Sequence, residues 1–201
     1  MTTLGITGGI GSGKTTVCHI FEKCGTRVFY ADDEAKRLMT EHEDVRREVS
    51  EAFGPESYLP SGDLNREYLS KRVFGNPHHL RRIGHIVHPR VFESFERQRR
   101  IALRDGVGLF IKEAAILFES GGHRHVDATA VVDAPEEERI MRVMRRDQVD
   151  AESVRKRMGN QLPPSELIRR ADYVIDNSSK RRDLDAQVRR IYDELTSEAK
   201  T

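Results

Sequence analysis

Gly8-Gly9-Ile10-Gly11-Ser12-Gly13-Lys14-Thr15 fills the template G-x-x-x-x-G-K-[ST] completely. Glycines at this density let a backbone turn its N–H groups inward around phosphate oxygens, and a helix starting just behind adds positive potential. Lys14 is then set to reach the β- and γ-phosphates of a nucleoside triphosphate, and the Thr15 hydroxyl to ligate Mg2+. A second candidate is the pair Asp32-Asp33, directly after the apolar run Arg27-Val28-Phe29-Tyr30. A carboxylate there can orient an acceptor hydroxyl and take its proton as the new bond to phosphorus forms. An ordinary Asp, of pKa ~3.9, is a weak base, but phosphoryl transfer depends mainly on positioning and charge neutralisation. The competing reading is a helix N-cap before Glu34-Ala35-Lys36-Arg37-Leu38. The third cluster is Arg139, Arg142, Arg145 and Arg146, on a helix expected after Pro135-Glu136-Glu137-Glu138. Arginines on a flap neutralise charge on a transferring phosphoryl group and help exclude water. Glu–Arg pairing on a solvated face, such as Glu138 with Arg142, is the alternative.

Such groups need a scaffold. Thr3–Thr7 reads as a strand ahead of the glycine-rich loop, and Val17, Ile20 and Phe21 fall at helical spacing behind it. Arg27–Tyr30, Val107–Ile111, Ala128–Val132 and Tyr173–Ile175 read as further strands, mostly without polar alternation, as strands covered on both faces should. Helical stretches separate them, which predicts a parallel sheet with helices on both sides. Polar residues follow each apolar run, at the edge where ligands of such sheets gather.

The spacing is uneven: about 75 residues separate the second run from the third, far more than one crossover helix needs. That interval carries helical patterns over Val45–Phe53, Arg66–Phe74 and Pro77 to about Arg104, broken at Gly54-Pro55 and Ser61-Gly62-Asp63. It is expected to be a helical insertion that covers the loop and holds an acceptor. A second helical excursion runs from Pro135 to Arg170, with a turn at Pro163-Pro164, and a last helix from about Leu184 to Glu198. The expected fold is α/β, a three-layer P-loop NTPase architecture with a five-stranded parallel sheet. One domain spans 1–201, with a helical acceptor-binding insertion at about 34–104 and a lid at about 135–170.

Composition excludes some functions. The 34 Lys and Arg nearly cancel the 33 Asp and Glu, so no general electrostatic grip on nucleic acid is implied. No apolar run approaches the ~20 residues of a membrane span, and the first strand starts too early for a signal peptide; a cytoplasmic protein is expected. Cys18 and Cys24 form no C-x-x-C pair and are expected to be inert thiols. His78-His79 and His123-x-His125 lack partners at zinc spacing. His85 and His88-Pro89 can line an acceptor site or end a helix turn, Arg81, Arg82 and Arg90 can meet an anionic acceptor or lie on a solvated helix face, and a carboxylate within Glu113…Glu119 can support Mg2+ or cap a helix. No guanine-specifying N-K-x-D stretch is present, which speaks against a GTPase-like switch; another small-molecule P-loop kinase is the nearer alternative.

The ordered set of motifs resembles the dephospho-CoA kinase family over nearly the whole chain. It runs through Leu4–Thr15, Ala31-Asp32, Gly62-Asp63-Leu64-Asn65-Arg66, Val73-Phe74, Ile86-Val87-His88-Pro89, Ile116-Leu117-Phe118-Glu119-Ser120-Gly121, Gln161 and Ala171-Asp172-Tyr173-Val174-Ile175-Asp176-Asn177. The resemblance implies an ATP- and Mg2+-dependent kinase acting on the ribose 3′-hydroxyl of dephospho-CoA, in the last step of coenzyme A synthesis. It implies Asp32 as catalytic carboxylate, Gly9 to Thr16 (Gly9, Ile10, Gly11, Ser12, Gly13, Lys14, Thr15, Thr16) as phosphate loop, Arg142 and Arg146 as lid residues, and Asn177 in the adenine-contacting loop. A monomer is expected, with a small homo-oligomer as the alternative. Two positions depart from the family pattern. Tyr30 stands where an Asp usually opens an Asp-Ala-Asp triplet, and Ala115 where a Pro usually opens Pro-Leu-Leu-Phe-Glu.

Overall fold

A computed structural model describes residues 1–73, 75–178 and 181–197, the side chains of Arg181 and Arg182 excepted. Its sheet has five strands: β1 (Thr2–Thr7), β2 (Arg27–Tyr30), β3 (Leu109–Glu113), β4 (Ala128–Asp133) and β5 (Tyr173–Asp176). They run parallel in the order β2-β3-β1-β4-β5. β1 is therefore central, with Leu4 opposite both Ile111 of β3 and Ala128 of β4. Its residues are buried without alternation because both faces are covered: Leu4 and Ile6 are fully buried, and the small polar Thr3 and Thr7 are buried with them.

α1 (Lys14–Lys23) turns Val17, Cys18, Ile20 and Phe21 inward. α9 (Arg181–Ser197) adds Leu184, Val188, Ile191 and Leu195 to the same cluster, with Ile111, Val132 and Ile175 of the sheet. Cys18 is sealed in this core, and burial together with the nearby Glu113 raises its thiol pKa, so it stays a neutral packing group. The third strand begins two residues later than its apolar run suggests, since Val107 donates instead to the carbonyl of Ala102 and ends the preceding helix. Glu113 is consequently the last residue of β3 rather than part of the loop beyond it.

The chain divides into two compact units, one of residues 1–30 and 99–201, the other of 31–98. The first holds the sheet, α1 and α9. It also holds three helices of the excursion before β5: α6 (Glu136–Asp147), α7 (Ala151–Met158) and α8 (Pro164–Arg170). The second is helical: α2 (Ala31–Glu41), α3 (Glu43–Phe53), α4 (Arg66–Val73) and the front of α5 (Pro77–Arg104). Phe74 and Glu198, expected as helix ends, lie outside the described residues.

Polar ties organise the second unit. Arg46 donates to the carbonyls of Thr40 and Gly62 at 2.6 Å each and lies 4.4 Å over the Tyr58 ring. The Tyr58 hydroxyl donates to the Met39 carbonyl at 2.8 Å. The buried Glu34 accepts from Ser94 of α5 at 2.5 Å and from both ends of the Arg37 guanidinium. These hydrogen bonds, first that from Arg37, hold its carboxyl below the usual range. α5 continues through Pro89, so His88-Pro89 does not end a helix.

Candidate functional site

The phosphate loop leaves the C-terminal end of the central strand and enters α1 through Gly13, whose φ of 97° is left-handed and which supplies no side-chain cap. The first N–H groups of α1 are therefore left without a side-chain cap, as at helix starts that receive anions. Gly11, at φ 79°, shows why the loop needs glycine: a Cβ there would run into the backbone carbonyl of Arg139 at the start of α6. Within the loop, Ser12 N–H donates to the Gly9 carbonyl at 3.0 Å, and Lys14 Nζ reaches back to the Gly8 carbonyl at 3.0 Å. Lys14 also lies 3.9 Å from the Glu113 carboxylate, with both side chains almost buried.

Side chains from distant segments brace this backbone. Asn177, one residue past β5, donates its amide to the Ser12 carbonyl at 2.7 Å. Arg142 of α6 donates to the Asn177 carbonyl at 3.0 Å and makes longer contacts with the carbonyls of Gly11 and Ser12, at 3.5 and 3.4 Å. Its other partner is Glu138, at 2.7 Å. Arg139 is only 5% exposed; its guanidinium covers Gly9 and its Nε has no hydrogen-bond partner. A buried cation with an unsatisfied N–H against a phosphate loop is built to meet a negative oxygen.

Lys14, Arg142 and Asn177 are thus brought together around Gly9–Thr15; Thr15 and Thr16 stand in the first turn of α1, the former exposed. Arg146 is not brought there. It lies 64% exposed and pairs with Asp147 at 2.7 Å. Seven residues beyond Arg139, it stands about 10 Å further along the helix axis. The sequence grouped Arg139 with its neighbours but did not single it out. The signal was the i, i+3 relation of Arg139 to Arg142, with Ile140 and Val143 as the buried anchor of α6 in a cluster that includes Ile10.

Asp32 belongs to the other unit, two residues along the chain from the end of β2. The helix-cap reading is corrected here: α2 begins at Ala31, so Asp32 and Asp33 are both inside its first turn, where carboxylates complement the helix dipole. Asp33 is a surface group, 72% exposed and paired with Lys36 at 2.6 Å. Tyr30 donates its hydroxyl to Glu22 at 3.2 Å. Burial, with Cys18 and Glu22 adding to it, pushes its phenol pKa upward, so it offers no second carboxylate-like charge. Arg81 and Arg82 line a cavity of about 560 Å3 with His78 and His85, but Glu48 and Glu51 share its wall. Arg90 faces Glu48 and Glu93. Among the described residues no cluster of three or more His, Cys, Asp or Glu is placed to hold a metal ion. No described helix is long and apolar enough to cross a membrane.

A parallel sheet in this order, with a Gly-rich phosphate loop leaving its central strand and arginines of a following helix packed on that loop, defines a P-loop kinase. The chain belongs to the dephospho-CoA kinase family, whose sequence model matches residues 2–183. It is similar to the dephospho-CoA kinase of Salinibacter ruber, with 53% identity over 192 residues and 96% of each chain covered. TT1252 from Thermus thermophilus, a solved structure, matches at 34% identity and a TM-score of 0.84, over 96% of this chain and 97% of that one. The dephospho-CoA kinase of Campylobacter jejuni shares the fold at a TM-score of 0.70 and 23% identity, over 98% of both chains.

Proposed function

We propose that this protein transfers the γ-phosphate of ATP to the ribose 3′-hydroxyl of dephospho-CoA, giving coenzyme A and ADP. The observation that carries the donor half is the braced loop of Gly8–Thr15 with Lys14 held at its mouth. The acceptor half rests on family membership and on 53% identity to a relative so named. In this reading Asp32 orients the 3′-hydroxyl and takes its proton as the oxygen bonds to phosphorus. Lys14 and Arg142 neutralise charge on the β- and γ-oxygens as ADP leaves, and Arg139 supplies a further cation against the same loop. Asn177 braces Ser12 and sits in the loop that meets the adenine.

Mg2+ typically keeps several waters and takes one or two protein oxygens beside substrate phosphates. The exposed Thr15 hydroxyl and the Glu113 carboxylate beside Lys14 fit that modest demand. When held by these residues, the ion would supply positive charge that offsets the charge of the phosphates. The helical segment of about 34–104 is assigned to acceptor binding and about 135–170 to the lid. The protein is read as a cytoplasmic monomer.

Arg142→Ala is expected to lower kcat/KM for ATP by about 10–100-fold, as loss of charge-assisted contacts at a phosphate site does. Arg146→Ala should change it by less than about threefold, because an exposed ion pair is worth little. Equal losses in steady-state kinetics would reverse this ranking. The acceptor is tested with a panel of dephospho-CoA, nucleosides, nucleotides and shikimate under identical ATP and Mg2+. Dephospho-CoA should be phosphorylated with by far the highest kcat/KM, and preference for any other acceptor would overturn the assignment.

A further inference from the structure

We infer that Gln161 is a positioning residue for the donor loop, locking its backbone and registering it against the segment that leaves β3. This rests on the reading of Gly8–Thr15 as the ATP phosphate site. Gln161 lies in the turn between α7 and α8, far from the loop in sequence. Its side-chain Oε1 accepts from the backbone N–H of Ile10 at 2.8 Å, and its Nε2 donates to the carbonyl of Ala115 at 3.1 Å. Neither end is interchangeable, because the Ile10 group only donates and the Ala115 group only accepts.

The loop needs such a lock. Gly8, Gly11 and Gly13 all sit at positive φ, so the loop has little intrinsic stiffness. Arg142 and Asn177 restrain it by donating to its carbonyls; Gln161 restrains it from the opposite polarity, by accepting from an N–H. Its own anchorage is firm. Gln161 N–H donates to the Met158 carbonyl, and the next residue, Leu162, donates its N–H to the Glu119 carboxylate at 2.9 Å. Leu162 also packs on Phe118 and Leu167. The two ends of the 135–170 excursion therefore grip the phosphate loop, α6 through Arg142 and the α7–α8 turn through Gln161. Only glutamine meets the geometry: glutamate would set a carboxylate oxygen against the Ala115 carbonyl, and asparagine is one methylene too short to keep both contacts.

The test is ATP affinity by calorimetric titration with Mg2+, a readout that needs no acceptor, made on wild type, Gln161→Met, Gln161→Glu and Asn160→Ala. Gln161→Met should bind ATP about tenfold or more weakly, the scale of stranding one shielded donor, with KM for dephospho-CoA little changed. Gln161→Glu should be at least as weak, since it adds a negative charge beside the phosphates. Asn160→Ala should match wild type, because that side chain caps only the Lys156 carbonyl at 3.0 Å. Should Gln161→Met fold poorly by circular dichroism, Gln161→Glu, close to isosteric, gives the reading. ATP affinity within about twofold of wild type in folded variants, or an equal loss in Asn160→Ala, would overturn the role of Gln161. Failure of wild type to bind ATP would instead overturn the reading of the loop itself.

Discussion

Asp32→Asn is expected to cut kcat by about 10²–10⁴-fold, the range for positioned acid–base groups, while ATP affinity stays close to wild type. Asp33 is committed to an exposed pair with Lys36, and Tyr30 carries a phenol whose pKa is driven upward. Neither neighbour can replace a carboxylate at neutral pH. Asparagine keeps the shape and can still accept a hydrogen bond, but it cannot take the hydroxyl proton. Losing one negative charge from the first turn of α2 costs about 0.3–1 kcal/mol of helix stability, too little to unfold the protein. Stopped assays of coenzyme A formation and a thermal melt on the same sample separate the two effects. Wild-type turnover in the variant would return Asp32 to the role of a helix-dipole group.

Lys14→Met should lower kcat/KM by about 10²–10³-fold or more, because the lysine stabilises charge that builds on the phosphoryl oxygens in the transition state. Its bound geometry is prepared in advance by the Gly8 carbonyl at 3.0 Å and Glu113 at 3.9 Å. The same geometry predicts a second effect. Glu113 is only 7% exposed, and removing the lysine leaves its carboxylate with less compensation. Thermal melts at neutral pH should therefore show the variant less stable than wild type. Unchanged kcat/KM would remove Lys14 from the mechanism.

The fold was legible wherever burial imposed a single pattern. Thr3 to Thr7 are buried on both faces of a central strand, so that segment carries no charged residue and reads as a strand. Val17, Ile20 and Phe21 face one core and read as a helix stripe. The phosphate loop was legible because glycine is required by geometry there, as the collision at Gly11 illustrates. The arginines were harder. Four of them lie within eight residues, and charge alone does not say which face of α6 meets the loop. That face is set by Ile140 and Val143, which pack inward and carry Arg139 with them.

The polar braces were the least legible. Gln161 and Asn177 act on the loop from 151 and 165 residues away, and neither has a local pattern that announces a partner. The Asp32-Asp33 choice was open for a related reason. Both residues satisfy the acidic first turn of a helix equally well in sequence, whereas in the structure Asp33 is exposed and pairs with Lys36 and Asp32 is half-buried.

The measurement closest to the central claim is a reaction of purified protein with ATP, Mg2+ and dephospho-CoA, followed by phosphorus NMR of the nucleotide products. ADP and coenzyme A should accumulate in equal amounts, with the new phosphomonoester on the ribose 3′-oxygen and no comparable ATP loss when dephospho-CoA is omitted. A folded, ATP-binding protein that leaves dephospho-CoA unphosphorylated, or places the phosphate on another hydroxyl, would contradict the account.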